Sequence, residues 1–274
     1  MAVYRFLRKY SYYLLSIFEL LLGFHNPLLL MKIFLSRTYP GIKTVRLRRR
    51  SLQFRVRGAM DIWSIKETFL DRFYERYGFT IQPDWKIIDI GAGIGDYSLY
   101  AAITQPASRV FSFEPFPESF TLMQENLRLN AITNVQVFSE AIGAASGELM
   151  LDLTGGEPLQ FQSHAGKAGD VKGSLPVRSL SLVDALARVG LEGCDLLKLD
   201  CEGAEYAILL GAPQPVLEHI QRIVMEYHDG PTQNHRDLAR LLGEQGFQVE
   251  TFPNPVYSHL GYLRALRKTK RGST

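Results

Sequence analysis

The chain has 274 residues, enough for one large core or for one core with a smaller attachment. At 46% hydrophobic, with no low-complexity tract and no internal repeat, it reads as globular rather than as a tail or a repeat array. The formal charge of +3 hides two regions: residues 1–60 carry 12 Lys/Arg and a single acid, Glu19, and the other 214 carry 19 Lys/Arg and 27 Asp/Glu, which predicts different partners for the two.

Residues 3–37, VYRFLRKYSYYLLSIFELLLGFHNPLLLMKIFLSR, predict one or two helices with Pro27 as the break. Arg5, Arg8, Lys9, Tyr12, Ser16, Glu19, Gly23 and Asn26 recur every three or four residues as a narrow polar stripe, and nearly everything else is apolar. A bilayer span needs about 18 residues almost free of charge. Glu19 and the His25-Asn26-Pro27 triplet interrupt the run from Tyr10 to Leu30, and no small-residue cleavage site follows. The expectation is an arm that packs on the body, on a second copy in a homo-oligomer, or on a membrane surface at the headgroup boundary. Residues 46–58, RLRRRSLQFRVRG, then alternate Leu52, Phe54 and Val56 with Gln53, Arg55 and Arg57, a half-exposed strand. Without interleaved aromatics, the Arg48–Arg50 run predicts a solvated or anion-facing surface and no nucleic-acid partner.

From residue 85, short apolar strands alternate with amphipathic helices. WKIIDIG, RVFSFEP, NVQVFSEAIG, CDLLKLD and QRIVMEYH read as strands. Helices follow in YSLYAAIT, PESFTLMQENLRLN, SLVDALARVG (capped by Ser181, ended by Gly190), AEYAILLGA and QNHRDLARLLGEQG. ELMLDL and SLPVRSL add strands around a glycine-rich loop, residues 154–174, which holds His164 as a lid residue. FQVETF and GYLRALR close the chain as an antiparallel edge pair. This α/β order predicts a mostly parallel sheet with helices on both faces. The predicted division is an arm over 1–45, a lead-in over 46–84 and a body over 85–270. Cys194 and Cys201 flank one strand; extended chain separates them by roughly 20 Å, so they cannot pair across it, and a reduced, cytoplasmic setting follows, with the inner face of the membrane as the place for any peripheral attachment.

In such sheets ligands bind at the carboxyl ends of the strands, at the switch in strand order. KIIDIGAGIGDYSLYAA places Gly91, Gly93 and Gly95 in a strand-to-helix turn after Asp89. A dinucleotide fingerprint wants its third glycine five residues after the first, where Asp96 stands. The turn better suits S-adenosyl-L-methionine, with Asp89 for the cationic end of its methionine tail. Glu114, closing the next strand, is placed to accept the ribose hydroxyls.

These segments resemble the class I methyltransferases, and more narrowly the FkbM family, over residues 54–266. The resemblance rests on IIDIGAGIGDYS, FSFEPFP, NVQVFSEAIG, LLKLDCEGAEYAIL and IVMEYH, with KLDCEGAE the most specific, and on the lead-in VRGAMDIWSIKETFLDRFYE. It implies a Rossmann-like, mostly parallel seven-stranded sheet with an antiparallel edge pair. It also implies S-adenosylmethionine-dependent O-methylation of a hydroxyl on a sugar, lipid or natural product. Tyr97 and Ser98 would reach the methionine portion, and Glu140 and Ala141 the adenine. Ala92 departs from the family's usual Asn, so any contact of that amide is absent.

An alcohol needs a nearby base or metal to attack a methyl group. The candidates are Asp200, Glu202, Glu226 and His228, with His228 as base and Glu226, two residues earlier on the same strand, as its support. The same four could instead bind a divalent cation. Glu205 reads either as a substrate contact or as an acid at a helix start. Two other classes stay in view: a cofactor-binding scaffold at a membrane without catalysis, and a dinucleotide oxidoreductase, which Asp96 disfavours.

Overall fold

The computed structural model describes residues 2–35, 41–154, 162–164, 173–254 and 256–268. The arm forms α1 (Ala2–Gly23) and α2 (Pro27–Leu35), broken at the expected proline. A hairpin follows, β1 (Lys43–Arg46) with β2 (Gln53–Val56), then α3 (Ala59–Lys66), which runs into two π-helical turns over Glu67–Asp71 and Tyr74–Gly78.

The body begins with β3 (Lys86–Ile90), α4 (Asp96–Thr104), β4 (Arg109–Phe113), α5 (Pro117–Leu129) and β5 (Val135–Phe138). β6 (Ala141–Gly143), β7 (Gly147–Asp152), β8 (Gln162–His164) and β9 (Ser174–Ser181) come next, then α6 (Leu182–Arg188). The chain ends with β10 (Leu196–Leu199), α7 (Ala204–Gly211), α8 (Gln214–Glu218), β11 (Arg222–His228), α9 (His235–Glu244), β12 (Phe247–Pro253) and β13 (Leu260–Arg267).

The main sheet has the order β12-β13-β11-β10-β3-β4-β5. All its strands are parallel except β13, which pairs antiparallel with both β11 and β12. This is the Rossmann-like, mostly parallel seven-stranded sheet with an antiparallel edge pair that the family resemblance implies. Alternation assigns the two faces: Ile88, Ile90 and Phe111 pack under α6, α7 and α9, whereas Ile87, Val110 and Leu196 pack with α4 and the lead-in. NVQVFSEAIG is not a single strand, because the chain turns at Ser139–Glu140 and its second half, β6, leaves the main sheet to pair with β9. Most of the glycine-rich loop lies outside the described residues. Both cysteines are free.

The arm and the β-hairpin sit on the body through a second apolar cluster, which joins Leu20, Phe24, Leu30 and Ile33 to Val45, Phe54, Ile62 and Ile94. The edge of β2 is covered by two side-chain amides, one in α5 and one just after it: Asn126 accepts the Arg55 N–H at 2.6 Å and Asn130 accepts the Gln53 N–H at 3.0 Å.

Candidate active site

The strand order reverses between β3 and β10. The chain leaves β3 toward β4 and β5 on one side and returns to β10 on the other, which opens a crevice at their carboxyl ends. The glycine turn lies there. Gly91 has a positive φ of 72°, and a Cβ on it would lie 1.9 Å from the Asp200 carbonyl oxygen, so only glycine lets the two strand ends meet. Gly93 also has a positive φ, and its N–H donates to Glu114 Oε2 at 2.8 Å. Glu114 Oε1 accepts the Phe116 N–H at 2.9 Å. Burial pushes the Glu114 carboxyl up to about 7 against those two N–H groups and the more distant Arg57 and Lys198.

The cavity at this crevice has a volume of about 1600 Å³. Of the residues expected to hold a cofactor, Gly91, Gly93, Tyr97, Glu114 and Ala141 line it. Asp89, Gly95, Ser98 and Glu140 do not. Asp89 is fully buried beneath the turn, with Oδ1 3.0 Å from Lys198 Nζ and Oδ2 accepting Ser98 Oγ–H at 2.6 Å. Ser98 continues to Ser112 Oγ at 2.6 Å. Gly95 sits against Met123, and Glu140 is buried with Arg188 3.8 Å away. Asp89 and Ser98 therefore support the turn from below and do not touch what lies above it. Ala92, which stands where the family usually has Asn, is buried in the second apolar cluster and also borders the cavity.

Across the cavity, Asp200, Glu202, Glu226 and His228 all line the wall, from the ends of β10 and β11. His228 Nε2 lies 3.4 Å from Glu202 Oε2 and its Nδ1 lies 3.3 Å from Glu205 Oε1. Its nearest carboxylates are thus Glu205 and Glu202, not the Glu226 expected from strand parity. Burial alone would lower the imidazole, but Glu205, Glu202 and Glu226 outweigh it and push His228 up to about 10. Raised in this way, the imidazole holds its proton more tightly than a free one, which weighs against the expected role as base. Burial pushes Glu202 up to about 7, with His228 opposing and Asp200 and Glu205 reinforcing.

Glu205 is fully buried, and its two oxygens accept the Cys201 N–H at 2.7 Å and the Gly203 N–H at 2.9 Å. It closes the start of α7 beside His228; it does not line the cavity. Asp200, Glu226 and His228 each bring a donor atom within 4.8 Å of the others, a spacing that a divalent cation could bridge once His228 lost its proton.

Lys198, Glu67 and Tyr74 are among the polar cavity residues to which the sequence assigned no role. Tyr74 Oη donates to Asp200 Oδ2 at 2.5 Å, and Trp63 Nε1 donates to Glu67 Oε1 at 2.8 Å. Lys198 is the first residue of KLDCEGAE, so the motif could have pointed to it. Glu67 and Tyr74 reach the cavity from π-helical turns that hydrophobic periodicity does not reveal.

The methyltransferase FkbM domain matches residues 89–249. Among curated proteins, the chain is 30% identical to the methyltransferase sdnD of Sordaria araneosa over 67% of this chain and 81% of that protein. It is 27% identical to the 31-O-demethyl-FK506 methyltransferase FkbM of Streptomyces tacrolimicus, over 70% and 84% respectively. It is also 30% identical to the AMB antimetabolite synthetase AmbE of Pseudomonas aeruginosa PAO1, covering 67% of this chain but only 10% of that much longer protein. Because the FkbM domain match over residues 89–249 takes in more than half of the chain, the chain belongs to the FkbM methyltransferase family.

Proposed function

We propose that this protein is an S-adenosylmethionine-dependent O-methyltransferase acting on a hydroxyl of a sugar, lipid or natural product. The observation that carries the reading is that the glycine turn with Glu114 and the cluster of Asp200, Glu202 and His228 open into one cavity from the ends of neighbouring strands. The residues fit the cofactor. Glu114 keeps lone pairs free beside its two N–H contacts, which suits a ribose diol, and Gly91 and Gly93 leave the turn without side chains. Ala141 would flank the adenine, and Tyr97, Lys198 and Asp200 the methionine end. A pyrophosphate would meet the buried carboxyl of Asp96 at the start of α4, where a dinucleotide site needs free N–H groups.

When bound, the sulfonium supplies an electrophilic methyl group. The chain's own task is to orient the acceptor hydroxyl and take its proton. Glu202, poised near neutrality and partly open to the cavity, is the base in this reading. His228 is the fixed cation that holds it, and Glu226 and Asp200 complete the polar wall. The other end of the cavity is apolar, lined by Leu21, Leu30, Met31 and Phe34, which suits an acceptor with an apolar portion. Residues 1–45 form the arm, 46–84 the lead-in and 85–270 the catalytic body.

Calorimetric titration with S-adenosylmethionine and with NAD, followed by a mass-spectrometric screen of hydroxylated lipids, sugars and polyketides, tests this. Binding of the first ligand only, with a product one methyl group heavier, is expected. Binding of NAD alone would overturn the reading. Cofactor binding with no turnover across the screen would favour the scaffold.

A further inference from the structure

Helix α1 is oriented inside out. Its polar stripe meets the body: Tyr12 Oη donates to Asp71 at 3.4 Å, Glu19 pairs with Lys66 at 2.9 Å, and Ser16 is buried. The opposite face is apolar and open. Leu14, Phe18 and Leu22 fall four residues apart on one line of the helix and are 58%, 55% and 74% exposed; Leu28 at the start of α2 is 73% exposed. None of these four lines the cavity. A helix on a soluble body turns its polar side to water, so the reversed orientation belongs to an element whose outer surroundings are apolar.

The charges around the stripe identify those surroundings. The basic run is stitched to the α1–α2 turn: the His25 N–H donates to the Arg46 carbonyl at 2.8 Å, the Arg48 N–H to the Gly23 carbonyl at 2.8 Å, and Arg48 Nε to the Phe24 carbonyl at 2.9 Å. Arg46, Arg48, Arg49 and Arg50 are exposed there, as is Lys32 of α2. Glu19, the lone acid of residues 1–60, is paired with Lys66.

We infer that α1 and α2 dock this protein on an anionic lipid surface, with Leu14, Phe18, Leu22 and Leu28 immersed and the arginines at the phosphates. No helix among the described residues is long and apolar enough to cross a membrane, so the attachment is to one leaflet. A second copy would match the apolar stripe, but a two-fold contact would set one cationic rim against the other. Ile17, Met31 and Phe34 are exposed and also line the cavity, so its apolar end opens beside the docked face.

Flotation of the full chain with vesicles of phosphatidylcholine mixed with phosphatidylglycerol tests the docking, with pure phosphatidylcholine vesicles as the uncharged comparison. Binding to the mixed vesicles that weakens with salt is expected. Arg46→Glu and Arg49→Glu should each weaken it by about fivefold or more. The double variant Phe18→Glu/Leu22→Glu should abolish flotation, and its thermal unfolding should match that of the unaltered chain, because both positions are already solvent-facing. Failure of the unaltered chain to float overturns the inference. So does a dimer in buffer that the double variant splits and that never binds vesicles, because the stripe would then belong to a second copy.

Discussion

Lys198 and Asp89 stand in register on adjacent parallel strands, with Nζ 3.0 Å from Oδ1, and together they carry the glycine turn. Lys198 also donates to the Gly91 carbonyl at 3.0 Å. Both side chains are shut away from solvent, so removing one charge strands the other. Lys198→Met should destabilise the fold by about 3–5 kcal/mol, and adding Asp89→Asn should return a substantial part of that. Urea unfolding of the two variants measures it. An unchanged midpoint for Lys198→Met would show that the pair does not support the turn.

In the proposed reading, Glu114 links cofactor binding to pH. Its carboxyl is raised to about 7 by burial, and the ionised form is the one that accepts two hydroxyls. Affinity for S-adenosylmethionine should therefore be full above neutrality and fall as pH drops through about 7, by up to about tenfold per pH unit. Glu114→Gln should remove this dependence and weaken binding at alkaline pH at least tenfold, because two charge-assisted hydrogen bonds of about 1.5–3 kcal/mol each are lost or weakened. Calorimetry on either side of neutrality reads both effects. A flat profile in the unaltered protein would move the ribose away from Glu114.

Glu202 and His228 should separate by their pH profiles. Turnover should rise as Glu202 ionises near 7 and hold until His228 loses its proton near 10. Glu202→Gln should lower kcat by roughly 10²–10⁴ and leave cofactor affinity unchanged. His228→Gln removes the cation that lowers Glu202, so the rising limb should move to higher pH rather than vanish. Loss of activity on chelation, restored by Mg²⁺, would replace this assignment with a cation held by Asp200, Glu226 and His228.

The sequence made the β-α order legible because strands and helices differ in hydrophobic period, and the edge pair because only a turn-rich link joins its strands. The cavity wall was partly legible: Gly91, Gly93 and Glu114 line it and are marked by residue type and spacing at the strand ends. Asp89 was misplaced for a physical reason. Its partner, Lys198, lies more than a hundred residues away, and the two meet only because β10 pairs directly with β3. The same holds for His228, whose nearest acids come from the first turn of α7 and the loop before it, not from its own strand. NVQVFSEAIG looked continuous because nothing local says that its two halves pair with different sheets. The polar stripe of the arm was visible, but periodicity does not say which side faces the body.

Lys66 ties the polar side of α1 to the body. Its ammonium is fully buried, 2.6 Å and 2.7 Å from the two Asp71 oxygens and 2.9 Å from Glu19 of α1, with the Tyr12 and Trp63 rings 5.2 Å and 5.3 Å away. Two carboxylates from different elements converge on one cation. Without it, Asp71, already raised by burial, faces Glu19 with no counter-charge. Glu19 is half exposed, so its own share of the pairing is small, about 1 kcal/mol or less. The larger loss is the buried pair with Asp71. Lys66→Met should keep the volume, remove the cation and let α1 lift from α3, loosening Leu20 and Phe24 from the second apolar cluster. Hydrogen exchange should then run at least tenfold faster in the part of α1 after Tyr10, while β3 and β10 keep their protection. Glu19→Gln in the Lys66→Met background should restore some of it by relieving the repulsion. Unchanged protection of α1 in Lys66→Met would mean that the apolar seam alone holds the arm, and that its inverted orientation is set by Leu20 and Phe24.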